Sequence, residues 1–366
     1  MSTDSENREI VRRKAQHLEI CVNEREYDVE FGTAGFEHVR LVHRSLPEIS
    51  ELDIDTRTQF INTLIPIPLF ISSMTGGSEA AYLVNKNLAI AAQKTGVPVG
   101  MGSIRILFEK PEVLPHFQLK RLAPDVPVFA NLGSAQIRDL DPALVVELTK
   151  RLEVQAIAIH LNPGQELFQP GGERDFSGTM TALARFCETS ALPVIVKETG
   201  FGIRPDEVKR LFEAGAAAVD VAGAGGTNWI AVESYRLDPE EIEAAREFDD
   251  WGNPTALILA ALDLRKRNTS MSGRVLASGG LRSGMDLVKS IALGASACGF
   301  ALPFVRAVSA EGVDGVVRLI RRFERVLRTA MVLTGSRDLA ALRAAPMLLD
   351  AAFDHQVQSL RKVLGE

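Results

Sequence analysis

The run PVIVKE, residues 193–198, is apolar for four positions and then ends in a lysine and a glutamate. A half-exposed strand would alternate; a run apolar on both faces is what a parallel sheet covered by helices requires. Seven further runs of this kind flank it: PLFISSM (68–74), VPVGMGS (97–103), VPVFANLG (126–133), AIAIHLN (156–162), AAVDVAG (217–223), RVLASGG (274–280) and ACGFAL (297–302). Between them lie segments with helical spacing. Asp141-Pro142 opens one, with Leu144, Val145, Leu148 and Leu152 as its expected buried stripe. Another begins after Ser283, carries Leu287, Val288 and Ile291, and stops at Gly294. EAGAAAVDV (213–221) and ALGASACGF (292–300) echo one another, each a helix end, a glycine turn and a small-residue strand. Eight strands alternating with helices predict an α/β chain folded as a (β/α)8 TIM barrel, with a doubly wound open sheet as the alternative.

The 366 residues suffice for one large barrel. Residues 1–67 are expected to form an N-terminal extension, 68–330 the barrel and 331–366 a C-terminal helical tail. The stretch Gly225–Gly273 is too long for one helix and its turns and should carry an insertion. Lys plus Arg number 41 and Asp plus Glu 47, a net charge of −6, which argues against a general nucleic-acid binder. Cys21, Cys187 and Cys298 are odd in number and far apart, so free thiols in a reducing cytoplasm are expected. The first residues lack the apolar core of a signal peptide, and the longest apolar stretch, ALILAALDL (256–264), is too short to span a membrane.

In a barrel, function sits at the C-terminal ends of the strands, and the unusual residues fall there: Ser73 to Gly77, Gly102-Ser103 with Arg105, Asn131, His160 to Asn162, Lys197-Glu198, Gly223 to Thr227 and Ser278 to Gly280. Gly279-Gly280, with Gly225-Gly226 on the neighbouring loop, reads as phosphate-binding backbone or as a tight βα turn. Lys197 ends an apolar strand and reads as a Schiff-base lysine, as a cation fixing a bound cofactor, or as a salt bridge to Glu198 or another carboxylate in the barrel mouth. In HLNPGQE (160–166), His160 and Asn162 point the same way along a strand, and Pro163-Gly164 turns the chain to present Gln165 and Glu166 from a loop. One carboxylate beside a neutral amide suits Mg²⁺ shared with substrate phosphates; the alternative is Glu166 as the dipole partner of a helix start. Arg12, Arg13, Lys14 and His17 form a solvated helix face or an anion clamp over the barrel mouth.

Together RRKAQHLE near the start, SSMTGG, GSIR, NLG, HLNPGQE, QPGGERDFSG, VKETGFG, AGAGGTNW and SGGLRSGMD resemble, in order and spacing, the type 2 isopentenyl diphosphate isomerases over roughly residues 10–345. The resemblance implies an FMN-dependent barrel enzyme, a homotetramer or larger, that interconverts isopentenyl and dimethylallyl diphosphate with Mg²⁺ and a flavin primed by NAD(P)H. It places Ser73, Met74, Thr75, Ser103, Asn131 and Lys197 around the flavin, and Thr227, Gly280, Leu281, Arg282, Ala301 and Leu302 at its phosphate and ribityl end. Arg13, Lys14, Ser103, Ile104 and Arg105 would clamp the substrate diphosphate. His160, Asn162 and Gln165 would surround the reacting groups, and Glu166 would ligate Mg²⁺.

The implied chemistry suits these residues. Protonating an unactivated alkene creates a cation-like centre, for which a reduced flavin supplies both a proton and an electron-rich face. Neutral Gln165 would position or relay a proton. The main rival is an FMN oxidoreductase of the α-hydroxy-acid oxidase kind. Its histidine base after strand six has no counterpart, because no histidine occurs between His160 and His355. A non-catalytic flavin- or phosphate-binding module would need neither Gln165 beside Glu166 nor a basic clamp.

Overall fold

A computed structural model describes residues 13, 16–265, 271 and 273–365. All eight expected strands are present and close into a parallel barrel: β1 (Leu69–Ile71), β2 (Val99–Ser103), β3 (Val128–Gly133), β4 (Ala156–Leu161), β5 (Val194–Glu198), β6 (Ala218–Asp220), β7 (Val275–Ala277) and β8 (Ala297–Phe300). Closure comes from β8 pairing with β1, Cys298 beside Leu69 and Phe300 beside Ile71. This removes the open-sheet alternative. It also leaves the barrel no exposed edge.

The helices cover the outside with stripes set by the 3.6-residue period. Helix Pro142–Leu152 starts where Asp141 accepts the Ala143 N–H, and buries Val145, Leu148, Thr149 and Leu152. Leu144, expected in that stripe, is instead 55% exposed, since it sits one step of about 100° off the 145–148–149–152 line. Helix Gly284–Ala292 is capped by Ser283 and buries Leu287, Val288 and Ile291 as expected. The two echoing segments occupy equivalent places, each leading from a helix end into β6 or β8. The long insertion holds helices Trp229–Ser234, Pro239–Arg246 and Thr255–Leu262.

Inside the barrel, alternate strand residues point to the axis. Phe70, Phe129, Ala156, Ala158, Ile195, Ala218, Leu276 and Ala297 fill it, and Phe60 and Ile65 of the hairpin 58–65 join them as an apolar plug. A helical run, Leu302–Thr334, follows β8, kinks at Glu311-Gly312 and packs on helix Glu79–Thr95. Beyond it the tail contains a strand as well as helices: Met347–Leu349 pairs antiparallel with Val39–Leu41 of the N-terminal extension.

Candidate active site

Moving two residues along each strand from the apolar plug changes the chemistry. Phe70 gives way to Ser72, Phe129 to Asn131, Ala158 to His160, Ile195 to Lys197, Ala218 to Asp220, Leu276 to Ser278 and Ala297 to Gly299. Six of these seven, all but Asp220, line one large cavity at the C-terminal mouth, the place where a barrel carries its function. The same cavity is lined by Arg13, Ser73, Met74, Thr75, Ser103, Arg105, Asn162, Gln165, Glu166, Thr227, Gly280, Leu281, Arg282, Ala301 and Leu302. Thus nearly every residue singled out from the sequence converges on one space, Lys197 and Gln165 included. Three stand apart. Ile104 is fully buried in the core, and its N–H is spent on the Asn131 carbonyl at 2.8 Å. Arg12 and Lys14 lie outside the described residues.

One wall is built for close approach. Gly102 lets the segment after β1 lie against β2, for a Cβ there would sit 1.9 Å from the Thr75 carbonyl oxygen. Among the described residues the buried hydroxyls of Ser73 and Thr75 have no hydrogen-bond partner, which in a protein interior calls for a ligand or water. On the opposite wall Gly279, at φ +86°, packs its backbone on that of Gly223, and a Cβ would meet Gly223 O at 2.0 Å. Leu302, at the start of the helix after β8, lines the same corner; its first turn has few N–H groups to offer, since Pro303 has none and those of Phe304 and Val305 go to the Ala301 carbonyl at 3.0 and 3.2 Å. The loop 280–282 is less bare than the sequence implies. The Arg282 N–H is taken by the Asp286 carboxylate at 2.9 Å, and its guanidinium pairs with Glu30 at 2.5 Å. Glu30 is shared with Arg306 at 2.9 Å, and Arg306 also meets Glu24 at 3.0 Å, so the two guanidinium groups of this corner are matched by acids.

Lys197 is 8% exposed, and its ammonium donates to the Glu198 carbonyl oxygen at 2.5 Å. The expected alternative of a salt bridge to the Glu198 carboxylate is not what forms. That carboxylate turns onto its own loop, accepting the N–H groups of Gly200, Phe201 and Gly202 at 2.5, 2.5 and 3.2 Å. Burial lowers the Lys197 pKa from its usual value, with Asp220 and Glu198 pulling the other way.

Gln165 and Glu166 lie on a helix turn, Pro163–Phe168, and not on a loop; Pro163 at its first position fixes the start. Asn162 caps the geometry from β4, donating to Gln165 Oε1 at 3.2 Å and Glu166 Oε1 at 3.0 Å. Gln165 in turn donates to Glu233 Oε1 at 2.9 Å. Glu166 Oε2 takes the Glu173 N–H at 2.9 Å and the Gln169 amide at 3.4 Å, which leaves Oε1 with one lone pair to spare. His160 Nδ1 lies 3.1 Å from Asn131 Oδ1. Arg13 reaches the cavity near Arg105 and Arg236; burial, and the repulsion of those two cations, lower its pKa against the pull of Glu233 and Glu166.

Reading the sequence alone misses Glu233 and Arg236. Glu233 has no solvent exposure and also meets His17 at 3.0 Å and Arg236 at 2.6 Å. Its signal is visible in hindsight: WIAVES, residues 229–234, sets one acid inside an otherwise apolar helix, where an acid must be paired. Trp229 stands edge-on to His17 at 5.4 Å, which docks the N-terminal helix over the mouth.

These features fit a flavin mononucleotide. Unpartnered hydroxyls and glycine-cleared backbone line one side, the loop Gly279 to Arg282 brings bare backbone and a guanidinium to where a phosphate would lie, and a buried ammonium suits an electron-rich ring. They also fit Mg²⁺ held jointly with a substrate. Among the described residues no group of three His, Cys, Asp or Glu could enclose a metal alone, and Glu166 keeps a vacant lone pair.

A family model described as FMN-dependent dehydrogenase matches residues 150–348. The isopentenyl-diphosphate delta-isomerase of Borrelia garinii subsp. bavariensis is 41% identical over 334 residues, 91% of this chain and 92% of its own. That of Methanothrix thermoacetophila is 42% identical over 348 residues, 93% and 94%, and that of Pyrococcus abyssi 39% over 349 residues, 93% and 92%. Among solved structures, a mandelate oxidase variant with 2-hydroxy-phenylacetamide superposes with TM-score 0.61 at 20% identity, covering 94% of this chain and 98% of its own. A flavocytochrome b2 variant with sulfite bound gives 0.68 at 18%, covering 95% and 84%. At these identities the two structures speak for the barrel alone.

Proposed function

The chain belongs to the isopentenyl-diphosphate delta-isomerase family, and on that footing we propose that it interconverts isopentenyl and dimethylallyl diphosphate with FMN and Mg²⁺. The observation that carries this reading is the single cavity in which Lys197, Gln165, Glu166 and Arg13 meet. An oxidase of α-hydroxy acids needs a basic histidine after the sixth strand; the loop here runs Gly223 to Trp229 without one.

In this reading FMN is held by Ser73, Met74, Thr75, Ser103, Asn131 and Lys197, with its phosphate end at Thr227, Gly280, Leu281, Arg282, Ala301 and Leu302. When bound and reduced, it supplies a proton donor and an electron-rich face for a developing cationic centre. The chain's own residues do the rest. Arg13, with Lys14, Ser103 and Arg105, binds the diphosphate. Glu166 shares Mg²⁺ with the phosphate oxygens. Gln165, fixed by Asn162 on one side and Glu233 on the other, holds or passes a proton at its amide, while His160 and Asn162 orient the reacting end. His17 and Trp229 close the mouth against water.

Priming of the flavin by NADH or NADPH, assembly as a homo-oligomer of four subunits or more, and a cytoplasmic location complete the reading. No helix among the described residues is long and apolar enough to cross a membrane. The test is anaerobic incubation with FMN, a reductant, Mg²⁺ and isopentenyl diphosphate in D₂O. Deuterated dimethylallyl diphosphate is expected; its absence from a yellow, FMN-loaded protein would refute the assignment.

A further inference from the structure

Asp220 is a buried carboxylate with no part in the scheme above. It sits on β6 directly beside Lys197 of β5, while His160 of β4 flanks Lys197 on the other side. Registered neighbours in a parallel sheet turn their side chains to the same face, so Asp220 and Lys197 both point into the barrel, just above the apolar plug. Asp220 is 1% exposed; burial pushes its carboxyl pKa up, while the charge of Lys197, the Ser278 hydroxyl at 2.8 Å and, more weakly, the Ala222 N–H at 3.4 Å favour the carboxylate. Ala222 adopts φ +40°, a left-handed conformation costly for a residue with a Cβ. Lys197 projects from this layer into the cavity wall.

The charges facing Lys197 are few. Glu198 offers it a carbonyl oxygen but commits its carboxylate to the backbone of residues 200–202. His160 is engaged with Asn131 at 3.1 Å. Asp220 is therefore the carboxylate that a neighbouring strand turns to the same side as the ammonium. We propose that Asp220 is a positioning residue, which keeps Lys197 charged and aimed at the bound flavin and so sets how strongly the site prefers the reduced over the oxidised form.

The physical ground is simple. Burial of an ammonium disfavours its charge, and an adjacent carboxylate restores it. Replacing Asp220 with a neutral isostere leaves burial in place and removes the restoring charge. Lys197 then loses its proton at a lower pH than in the parent protein. With it goes the cation that favours an anionic reduced ring.

This inference rests on the flavin reading, and the experiment separates the two. FMN dissociation constants are measured for oxidised and chemically reduced cofactor, from pH 6 to pH 10, with wild type, Asp220→Asn, Lys197→Met and the double variant. Asp220→Asn should lower the preference for reduced FMN about tenfold, the effect of one unit of coupling. It should also shift the alkaline loss of that preference to lower pH. The double variant should differ little from Lys197→Met alone. Should Asp220→Asn prove insoluble, Ser278→Ala, which frees the carboxylate from its hydroxyl, should shift the same quantities in the same direction by less. An unchanged ratio and pH profile in the soluble variant, or an effect that adds in full to that of Lys197→Met, would overturn the proposal. A wild-type protein that takes up no FMN would overturn the flavin reading and this inference with it.

Discussion

At the scale of single residues, Glu233 organises more of the site than any position picked out from the sequence. Burial pushes its carboxyl upward, yet the bonds and charges of His17, Gln165 and Arg236 outweigh this and hold it below the usual glutamate range. An acid depressed on folding contributes stability that is complete above its unfolded value, about 4.3, and is lost as pH falls through the lower folded value. The N-terminal helix, residues 16–22, should therefore loosen over the mouth in acid. Emission of Trp229, measured in a Trp251→Phe background, should report it, and Glu233→Gln should abolish the dependence; a flat wild-type profile from about pH 5 to pH 3 would contradict this linkage. Gln165 is fixed by that same carboxylate. Gln165→Leu should keep FMN bound, seen as the visible flavin absorbance, while turnover falls about a hundredfold or more. Normal turnover would remove Gln165 from the mechanism.

At the scale of elements, what could be read in advance tracks how local the cause is. The eight strands were legible because burial on both faces writes itself as an uninterrupted apolar run, and the polar residue two places on marks the mouth. Leu144 was misjudged because a helix stripe is decided by a shift of one residue, which only the neighbouring elements settle. The segment Pro163–Phe168 reads either as a loop or as a helix start, since Pro-Gly serves both structures, and the Asn162 bonds to the Gln165 and Glu166 side chains are not visible as spacing. Partners distant along the chain, such as Glu30 with Arg282 or His17 with Glu233, leave no local pattern at all. The β7 turn offers a test at this scale. Gly279→Ala would drive a methyl into the Gly223 backbone from a left-handed conformation, so FMN affinity should fall at least about tenfold while far-ultraviolet circular dichroism stays that of a folded barrel. Unaltered affinity would show that this corner does not hold the phosphate.

At the scale of the whole molecule, the barrel is fastened from outside by both ends of the described chain. Val39–Leu41 and Met347–Leu349 form a two-stranded ribbon, Phe353 stacks on His38 and is 3% exposed, and Arg265 donates to the carbonyls of Arg343 and Ala345 at 2.8 and 2.7 Å. Phe353→Ala should cost about 3 kcal/mol of unfolding free energy, read from chemical denaturation; a loss below about 0.5 kcal/mol, the range of ordinary surface changes, would show that the fastening is dispensable. The ribbon also bears on how the protein is made. Its two strands are separated by some three hundred positions, so during translation the first must wait, unpaired, until the second has left the ribosome. While those intervening residues are made, the earlier strand keeps an open edge, a template for mispairing until the clasp can shut.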